Sequence, residues 1–374
     1  MAAAEVSATL WPVPEPITVA YTLEQCWHRV PGGTAVAALR VAEAMRTMDG
    51  VQLVGVAGWH RRPPDAAWAP TIPVRRLPGA RPALYESWLR IGQPRVEMAT
   101  GSVDVAHATT VIPCPSRAPL VSTVHDLAWR HAPEQFTKRG VDVFDRSLAL
   151  VRRKAALVLC SSRATIADCV DAGLDESKLR HVPLGVDASP VDIDDVERVR
   201  RSYGLPAEHL LFVGTLEPRK NLRRLVEAHR LLPDAPPLTI VGAAGWGGGD
   251  LVGDHGDGRV RFLGFVPAGD LPALYASASA LCYPSLREGY GLPVLEAMAQ
   301  GTPVVTSRGT STEEAAGHAA VLVDPLDVEA IAAGIGEALD RSNELAALGR
   351  SRAAECSWSA TAATTLAAYR EVAT

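Results

Sequence analysis

Two glutamates on either side of a glycine-rich turn are the residues of this chain best suited to chemistry. Glu288 and Glu296 enclose the segment 289–295, Gly-Tyr-Gly-Leu-Pro-Val-Leu, and a helix is predicted over 294–299. Backbone N–H groups at a turn and at the start of a helix bind phosphate or sugar hydroxyls, because the helix dipole is positive there. Carboxylates accept paired hydrogen bonds from neighbouring hydroxyls. The segment therefore predicts a site for a ligand that carries both groups.

Two adjacent cations lie upstream, in the segment 214–221, Gly-Thr-Leu-Glu-Pro-Arg-Lys-Asn. Arg219 and Lys220 follow a predicted strand, and paired cations suit a pyrophosphate. Cations at the start of a helix oppose its dipole unless an anion is present. Fixed cations also stabilise the charge that a nucleoside diphosphate gains as it leaves. With the two glutamates, they predict a site for a nucleoside diphosphate sugar.

A histidine and an aspartate follow another predicted strand, at 120–124. His125 would lie at the carboxyl end of that strand, where ligands bind in parallel sheets, and an imidazole can donate a hydrogen bond to a sugar hydroxyl. Asp126 either positions an acceptor or caps the next turn. Gly32 and Gly33 either let the backbone approach the diphosphate, since no side chain intervenes, or form a plain turn.

The elements that must position these residues follow an α/β pattern. Short apolar runs alternate with longer helical patterns, which is typical of parallel sheets covered by helices. Helices are predicted over 34–48, 143–154, 163–171 with Ser162 as N-cap, 222–231, 271–276 and near 359–372. Strands are predicted over 17–21, 52–57, 103–107, 120–124, 156–160, 179–182, 210–213, 238–241, 260–263, 280–283 and 303–306. The polar stretch 187–205 is predicted to be a linker between two doubly wound halves.

The motifs resemble the family 4 retaining glycosyltransferases, enzymes with the two-domain GT-B fold. The resemblance lies in the segments 31–34, 122–127, 182–187, 213–222, 261–266 and 283–307. It implies two Rossmann-like domains with a cleft between them. Residues 1–187 would form the acceptor-side domain, with the C-terminal helix, about 358–374, packing back on it. Residues 188–357 would bind the nucleotide-sugar donor.

The resemblance also implies a role for each site residue. Arg219 and Lys220 would hold the diphosphate, Glu296 the ribose hydroxyls, and Glu288 would lie against the donor sugar as nucleophile, electrostatic stabiliser or hydroxyl anchor. His125 would act at the reaction centre. The remaining donor-binding positions are Gly32, Gly33, Phe265, Val266, Gly289, Tyr290, Gly291 and Leu292. Thr215 departs from the family pattern, since many relatives carry an arginine there.

Donor and acceptor are open at this stage. The resemblance to a branch rich in mannosyltransferases favours GDP-mannose, followed by UDP-glucose or UDP-N-acetylglucosamine. The acceptor would be a glycan, a glycolipid or a small hydroxyl compound, chosen by loops around 111–117 and 129–138. The family generally works without a catalytic metal, and no cofactor is expected beyond the nucleotide sugar. Two alternatives remain: a GT-B relative of different activity, such as a nucleotide-sugar epimerase or a phosphorylase, and a non-catalytic nucleotide-sugar-binding scaffold protein.

Composition limits the remaining possibilities. A net charge of −5 argues against a general nucleic-acid binder, and the segment 242–247 lacks the G-x-G-x-x-G spacing of a dehydrogenase. Six cysteines without a C-x-x-C pair, no signal peptide pattern and no long apolar run predict a cytoplasmic protein. Arginines in the first half, at 61–62, 75–76, 81, 90 and 95, form either a solvated face or a surface for peripheral contact with an anionic membrane.

Overall fold

The computed structural model describes residues 15–28, 31–243 and 258–373. Part of the segment 242–247, discussed above, therefore lies outside the described residues. The chain forms two parallel sheets, each covered by helices. The strands of the first sheet are β1 (Ile17–Thr22), β2 (Val51–Ala57), β3 (Val74–Arg76), β4 (Val105–Ala108), β5 (Leu120–Val124), β6 (Ala155–Cys160) and β7 (Leu179–His181). Those of the second are β8 (Leu210–Val213), β9 (Leu238–Val241), β10 (Val260–Gly264), β11 (Ala280–Tyr283), β12 (Val304–Ser307) and β13 (Val321–Val323).

Fourteen α-helices occur in the described part of the chain. In the first half they are α1 (Gly32–Met45), α2 (Arg81–Arg90), α3 (Glu97–Thr100), α4 (Ala128–His131), α5 (Lys138–Lys154) and α6 (Arg163–Asp171). Then come α7 (Ile193–Tyr203), α8 (Leu222–Arg230), α9 (Leu271–Ser277), α10 (Leu292–Ala299), α11 (Ser311–Ala316), α12 (Val328–Asp340), α13 (Ser342–Glu355) and α14 (Trp358–Val372).

In both sheets, successive strands are added first on one side and then, after a single reversal, on the other. The first has the order β3-β2-β1-β4-β5-β6-β7 and the second β10-β9-β8-β11-β12-β13, with parallel pairing throughout. The reversals fall between β1 and β4 and between β8 and β11. In doubly wound sheets the ligand crevice lies beyond the carboxyl ends of the strands at such a point, so each half offers one crevice.

The hydrophobic core is divided in the same way. One cluster fills the second half around β8, β11 and β12, and two clusters cover the opposite faces of the first sheet. The last helix, α14, belongs to the first half, because Leu366 and Tyr369 lie in the cluster that also contains residues of β1 and α1. The chain therefore leaves the second half after α13 and returns to the first.

Several predicted boundaries are corrected. Helix α1 begins at Gly32, so the two glycines form its first turn and not a loop, and it ends at Met45. Helix α10 begins at Leu292. Gly291, directly before it, has a φ of 111°, a left-handed backbone conformation that favours glycine. Helix α5 begins at Lys138, where the Thr137 hydroxyl accepts from the Gly140 N–H.

The predicted linker 187–205 is wrong in part, because it contains helix α7. Asp192 caps this helix by accepting from the Asp194 N–H at 3.0 Å, and Gly204 ends it in the left-handed conformation. Val196 and Val199 are buried on its inner face. The polar composition of the segment belongs to the exposed face of an amphipathic helix. The prediction for α6 is confirmed, including the Ser162 cap, whose Oγ accepts from the Thr165 N–H.

Candidate active site

The predicted site residues come from strand ends at the two crevices. His125 and Asp126 directly follow β5, and helix α1 starts shortly after β1. In the second half, Arg219 and Lys220 form a 3-10 turn after β8, before α8 starts, and the turn that contains Glu288 joins β11 to α10. The cations therefore do not occupy the first turn of a helix, as the sequence suggested, but a separate turn ahead of it.

Glu288 is the centre of a buried charged cluster. Its side chain is only 9% exposed, and its Oε1 lies 2.6 Å from Lys220 Nζ. Its Oε2 lies 3.2 Å from Arg219 Nη1, and the Tyr283 hydroxyl donates to Oε1 at 3.0 Å. Arg219 is also paired with Glu217 at 2.7 Å. We call Arg219, Lys220, Tyr283 and Glu288 the cation–glutamate cluster.

The charged groups of this cluster shift one another's pKa values towards the ionised forms. Burial alone raises the pKa of the Glu288 carboxyl, but Lys220 and Arg219 outweigh it, so the net pKa is lowered and the group is ionised. Burial lowers the pKa of Lys220, with Glu288 acting against the shift. The pKa of Arg219 is raised, since Glu288 and Glu217 outweigh its burial. An anion that enters the crevice would thus meet two cations fixed in place before it arrives.

The glycine-rich turn touches the opposite half of the molecule at His125. A Cβ added to Gly289 would lie 2.5 Å from the His125 carbonyl oxygen, so only glycine fits there. The Ser161 hydroxyl lies 3.2 Å from that same oxygen and 3.1 Å from the Gly289 carbonyl oxygen. The Thr165 hydroxyl donates to the His125 carbonyl oxygen at 3.0 Å. Tertiary structure therefore brings the turn and the predicted catalytic histidine side by side.

His125 and Asp126 have different surroundings. Burial lowers the pKa of His125, so its imidazole is neutral near pH 7, and its Nε2 lies 3.3 Å from the Thr109 carbonyl oxygen. Asp126 accepts from the Ala128 N–H at 3.0 Å, which is the capping contact that the sequence left open. Its charge also raises the pKa of Arg219 from the other half.

Glu296 lies in α10 and is held by a tyrosine. The Tyr275 hydroxyl donates to Glu296 Oε2 at 2.7 Å. Burial raises the pKa of Glu296, and this hydrogen bond opposes the shift only in part. No cation is paired with this carboxylate within the described residues, unlike Glu288.

The remaining predicted donor-binding residues differ in exposure. Gly33 lies near α10, since an added Cβ would be 3.8 Å from a Leu292 methyl group, while Gly32 has open space around it. Phe265 is 74% exposed, whereas Val266 and Tyr290 are buried in the core at 4% and 3%. The Tyr290 side chain is therefore a packing group.

Sequence reasoning missed the two tyrosines that contact the motif glutamates. Tyr275 and Tyr283 stand in apolar stretches, Leu-Tyr-Ala and Cys-Tyr-Pro, where they look like core residues. They are core residues by burial, and only their hydroxyls reach the site. Among the described residues, no group of three or more His, Cys, Asp or Glu side chains is placed to hold a metal ion. No helix described here has the length and apolar character needed to cross a membrane.

Comparison with known proteins identifies the family. Residues 31–190 match the model of Glycosyltransferase Family 4, and residues 195–353 match Glycosyl transferases group 1. The chain is 37% identical to O-antigen chain mannosyltransferase B of Escherichia coli over 265 residues, which are 67% of this chain and 70% of the relative. It is 32% identical to MMP alpha-(1->4)-mannosyltransferase of Mycolicibacterium hassiacum over 68% of this chain and 65% of the relative.

Solved structures share the whole architecture. HepE of Anabaena, in complex with UDP and glucose, superposes with a TM-score of 0.70 at 20% identity, covering 96% of this chain and 98% of HepE. WaaG, a glycosyltransferase involved in lipopolysaccharide biosynthesis, superposes with a TM-score of 0.66 at 19% identity, covering 94% and 98%. The two parallel sheets and these neighbours show the GT-B fold.

The chain belongs to glycosyltransferase family 4 and is a hexosyltransferase.

Proposed function

We propose that this enzyme transfers mannose from GDP-mannose to a hydroxyl of a glycan or glycolipid acceptor, with retention of the anomeric configuration. The observation that carries the donor site is the cation–glutamate cluster, in which a buried lysine and a half-buried arginine lie beside the turn that meets His125. The choice of mannose is supported by the two relatives named as mannosyltransferases. No metal or other cofactor enters the proposal.

The proposed donor position follows from the charges. The diphosphate would lie against Arg219 and Lys220, the ribose against Glu296, and the sugar between Glu288 and His125. As the bond between the anomeric carbon and the phosphate oxygen breaks, negative charge builds up on the diphosphate. Fixed cations stabilise that charge more in the transition state than in the ground state.

Transfer would proceed on one face of the sugar. The acceptor oxygen forms its bond to the anomeric carbon from the side on which the diphosphate departs. The acceptor proton passes to the departing phosphate oxygen, so the products are the retained glycoside and the nucleoside diphosphate. No side-chain base is needed in this step. The neutral His125 directs its Nε2–H to the Thr109 carbonyl oxygen, so its Nδ1 would accept a hydrogen bond from a sugar hydroxyl. Closure of the two halves would exclude water and limit hydrolysis.

A thermal-shift panel tests the donor. GDP, UDP, ADP and TDP, each with its common sugar conjugates, are added to the folded enzyme, since a ligand that binds only the folded state raises its melting temperature. A shift with GDP and GDP-mannose supports the proposal. A preference for UDP contradicts the mannose assignment and favours UDP-glucose or UDP-N-acetylglucosamine. The absence of any shift, in a folded sample, contradicts the proposed donor site.

We also propose a cytoplasmic location with peripheral membrane contact through the first half. Arg61, Arg62, Arg75 and Arg76 are exposed, and Trp59, in the same part of the chain, is 57% exposed. Cations near an anionic leaflet contribute roughly 1 kcal/mol each. Sedimentation with anionic vesicles should carry the enzyme down at low salt, and zwitterionic vesicles should not. Equal behaviour with both vesicle types would contradict the contact.

A further inference from the structure

Each motif glutamate accepts a hydrogen bond from its own buried tyrosine. Tyr283, the last residue of β11, donates to Glu288 Oε1 at 3.0 Å. Tyr275 of α9 donates to Glu296 Oε2 at 2.7 Å. Both tyrosines are at most 1% exposed. The two carboxylates on which the predicted donor site depends are therefore oriented by the same kind of contact from two different elements.

The two hydroxyls are dependable donors because of their environment. Burial raises the pKa of Tyr275 and of Tyr283 well above the ordinary value, with the neighbouring carboxylates adding to the shift. Both phenols therefore keep their protons throughout the working pH range. The Tyr283 ring stacks on Phe212 with 5.8 Å between ring centroids. The Tyr275 side chain is buried in the core, and its backbone carbonyl oxygen accepts from the Thr302 hydroxyl at 2.7 Å.

Donor binding would change the partners of Glu288. In the present structure its charge is balanced by Lys220 and Arg219. A diphosphate bound to the same cations would draw them away, and a carboxylate as buried as this one is costly to leave without a partner. The Tyr283 hydroxyl carries no charge that a diphosphate could attract, so its hydrogen bond to Glu288 would persist. Lys220 Nζ also lies in hydrogen-bond contact with that hydroxyl.

Glu296 presents the simpler case. Its Oε2 is taken by Tyr275, and its Oε1 accepts no hydrogen bond from the described residues. Because Oε2 is fixed, Oε1 points in a defined direction, where it could accept a hydrogen bond from a ligand hydroxyl. An unfixed glutamate would have to lose side-chain entropy on binding.

We propose that Tyr283 and Tyr275 are positioning residues with separate tasks: Tyr283 keeps Glu288 in place during transfer, and Tyr275 presents Glu296 to the nucleotide. This inference rests on the proposed donor site. Tyr283 should therefore act mainly on turnover, and Tyr275 mainly on donor affinity.

Three matched phenylalanine variants test the separation. Tyr283→Phe and Tyr275→Phe each remove one hydroxyl, and Tyr203→Phe is the control. The Tyr203 hydroxyl donates to the Asp270 carboxylate at 2.7 Å, outside the predicted site residues. Steady-state kinetics are measured with the nucleotide sugar that the wild-type enzyme uses, and affinity for the nucleoside diphosphate product is measured by calorimetry.

The expected results differ between the variants. Tyr275→Phe should raise KM for the donor and weaken the product complex by about tenfold, as for a lost hydrogen bond to a charged group, with kcat changed less than about threefold. Tyr283→Phe should lower kcat by about tenfold or more. It should also move the acidic limb of the kcat–pH profile to higher pH, because a carboxylate that loses a donor binds its proton more tightly. Tyr203→Phe should match the wild type.

A double variant identifies the path of the Tyr283 effect. If the tyrosine acts through the carboxylate, Tyr283→Phe should have little further effect on kcat in a Glu288→Gln background, since coupled residues are non-additive. Additive losses, an unmoved pH limb, or equal kinetic effects in both single variants would overturn the inference. A wild-type enzyme that binds no nucleotide would instead refute the proposed function, so the two failures are distinguishable.

Discussion

At the scale of single residues, the predicted donor site pairs its cations with a buried carboxylate. Lys220 is 9% exposed at its side chain, and so is Glu288, which pairs with it. A buried ion pair is tolerated because each member compensates for the desolvation of the other. An anionic ligand would compete with Glu288 for the two cations, so its binding would change the ion pairs of the cluster.

Removing a donor-binding charge should weaken nucleotide binding. Lys220→Ala and Glu296→Ala are each expected to weaken the nucleoside diphosphate complex by about 1–3 kcal/mol, the range for a lost hydrogen bond to a charged group. Calorimetric titration measures this change. Lys178→Ala is the matched control, since Lys178 Nζ contacts only the Ala155 carbonyl oxygen among the described residues. Unchanged affinity in both site variants would mean that the site is assigned wrongly.

His125 should act on turnover more than on binding. His125→Ala removes the neutral imidazole beside the glycine-rich turn and is expected to reduce kcat by about 10²-fold or more, the lower range for a lost electrostatic contact at the reaction centre. Product affinity in the same variant serves as the internal control and should stay within about threefold. Transfer at the wild-type rate would show that this histidine is structural.

Nucleotide affinity should depend on pH through Glu296. Its folded pKa is raised by burial, so it takes up a proton at a higher pH than an ordinary glutamate does. A protonated carboxyl accepts fewer hydrogen bonds, and affinity should therefore fall as the pH is lowered from neutral towards the weakly acidic range. The Glu296→Gln variant should retain only the dependence of the phosphate groups. Parallel pH curves for the two proteins would contradict this assignment.

At the scale of elements, turns decide how closely the two halves approach. The glycine-rich turn between β11 and α10 meets the backbone after β5, and the N-terminal end of α6 supplies the hydroxyls that bridge them. Arg287 in the same turn pairs with Asp168 of α6 at 2.8 Å. The turn that carries Glu288 is therefore also one of the elements that join the halves.

Gly289→Ala should disturb this junction. The new Cβ would meet a backbone oxygen that cannot rotate away, so we expect a loss of about 1–3 kcal/mol in the free energy of unfolding, as for overpacking, together with lower turnover. Gly336→Ala is the control. Gly336 lies inside α12 with nothing within 4 Å of an added Cβ, and alanine there should stabilise by about 0.5–1 kcal/mol. Denaturant unfolding compares the two, and a Gly289→Ala protein as stable as wild type would exclude the close contact.

At the scale of the whole molecule, the last helix packs against the first half of the chain. Helix α14 follows the second half but packs on α1 of the first. Its Tyr369 hydroxyl lies 2.6 Å from Nδ1 of His107 in β4, and Nε2 of this histidine lies 2.8 Å from the Thr123 hydroxyl of β5. Burial lowers the pKa of His107 to about 3, so the ring is neutral and its Nδ1 can accept from the tyrosine. The last helix is thereby linked to β5, the strand that directly precedes His125.

Tyr369→Phe should loosen this link. The substitution leaves a buried imidazole nitrogen without its donor, which costs about 1–3 kcal/mol in the free energy of unfolding. Chemical denaturation followed by circular dichroism measures it, with Tyr203→Phe, at a half-exposed hydroxyl, as the comparison. A change as small as that of the comparison variant would show that the contact to His107 contributes nothing.

The sequence alone determined the class of fold and most of the predicted site. The strands of a parallel sheet are buried on both faces and therefore appear in the sequence as short apolar runs. On this basis β5, β8, β9 and β11 were predicted with their observed bounds. The helix α7 was missed because acidic composition hides an apolar face that contains only Val196 and Val199. Motif residues such as Glu288 were found because their chemical type and spacing are local properties.

Only the tertiary structure decided which groups meet. The cation–glutamate cluster joins residues almost seventy positions apart, and the contact of Gly289 with His125 crosses from one half to the other. Tyr275 and Tyr283 are indistinguishable in the sequence from ordinary core residues, because the direction of a buried hydroxyl depends on packing and not on local pattern. Candidate site residues can be recognised from residue types and short spacings, which are local properties. The contacts between those residues depend on how separate elements pack.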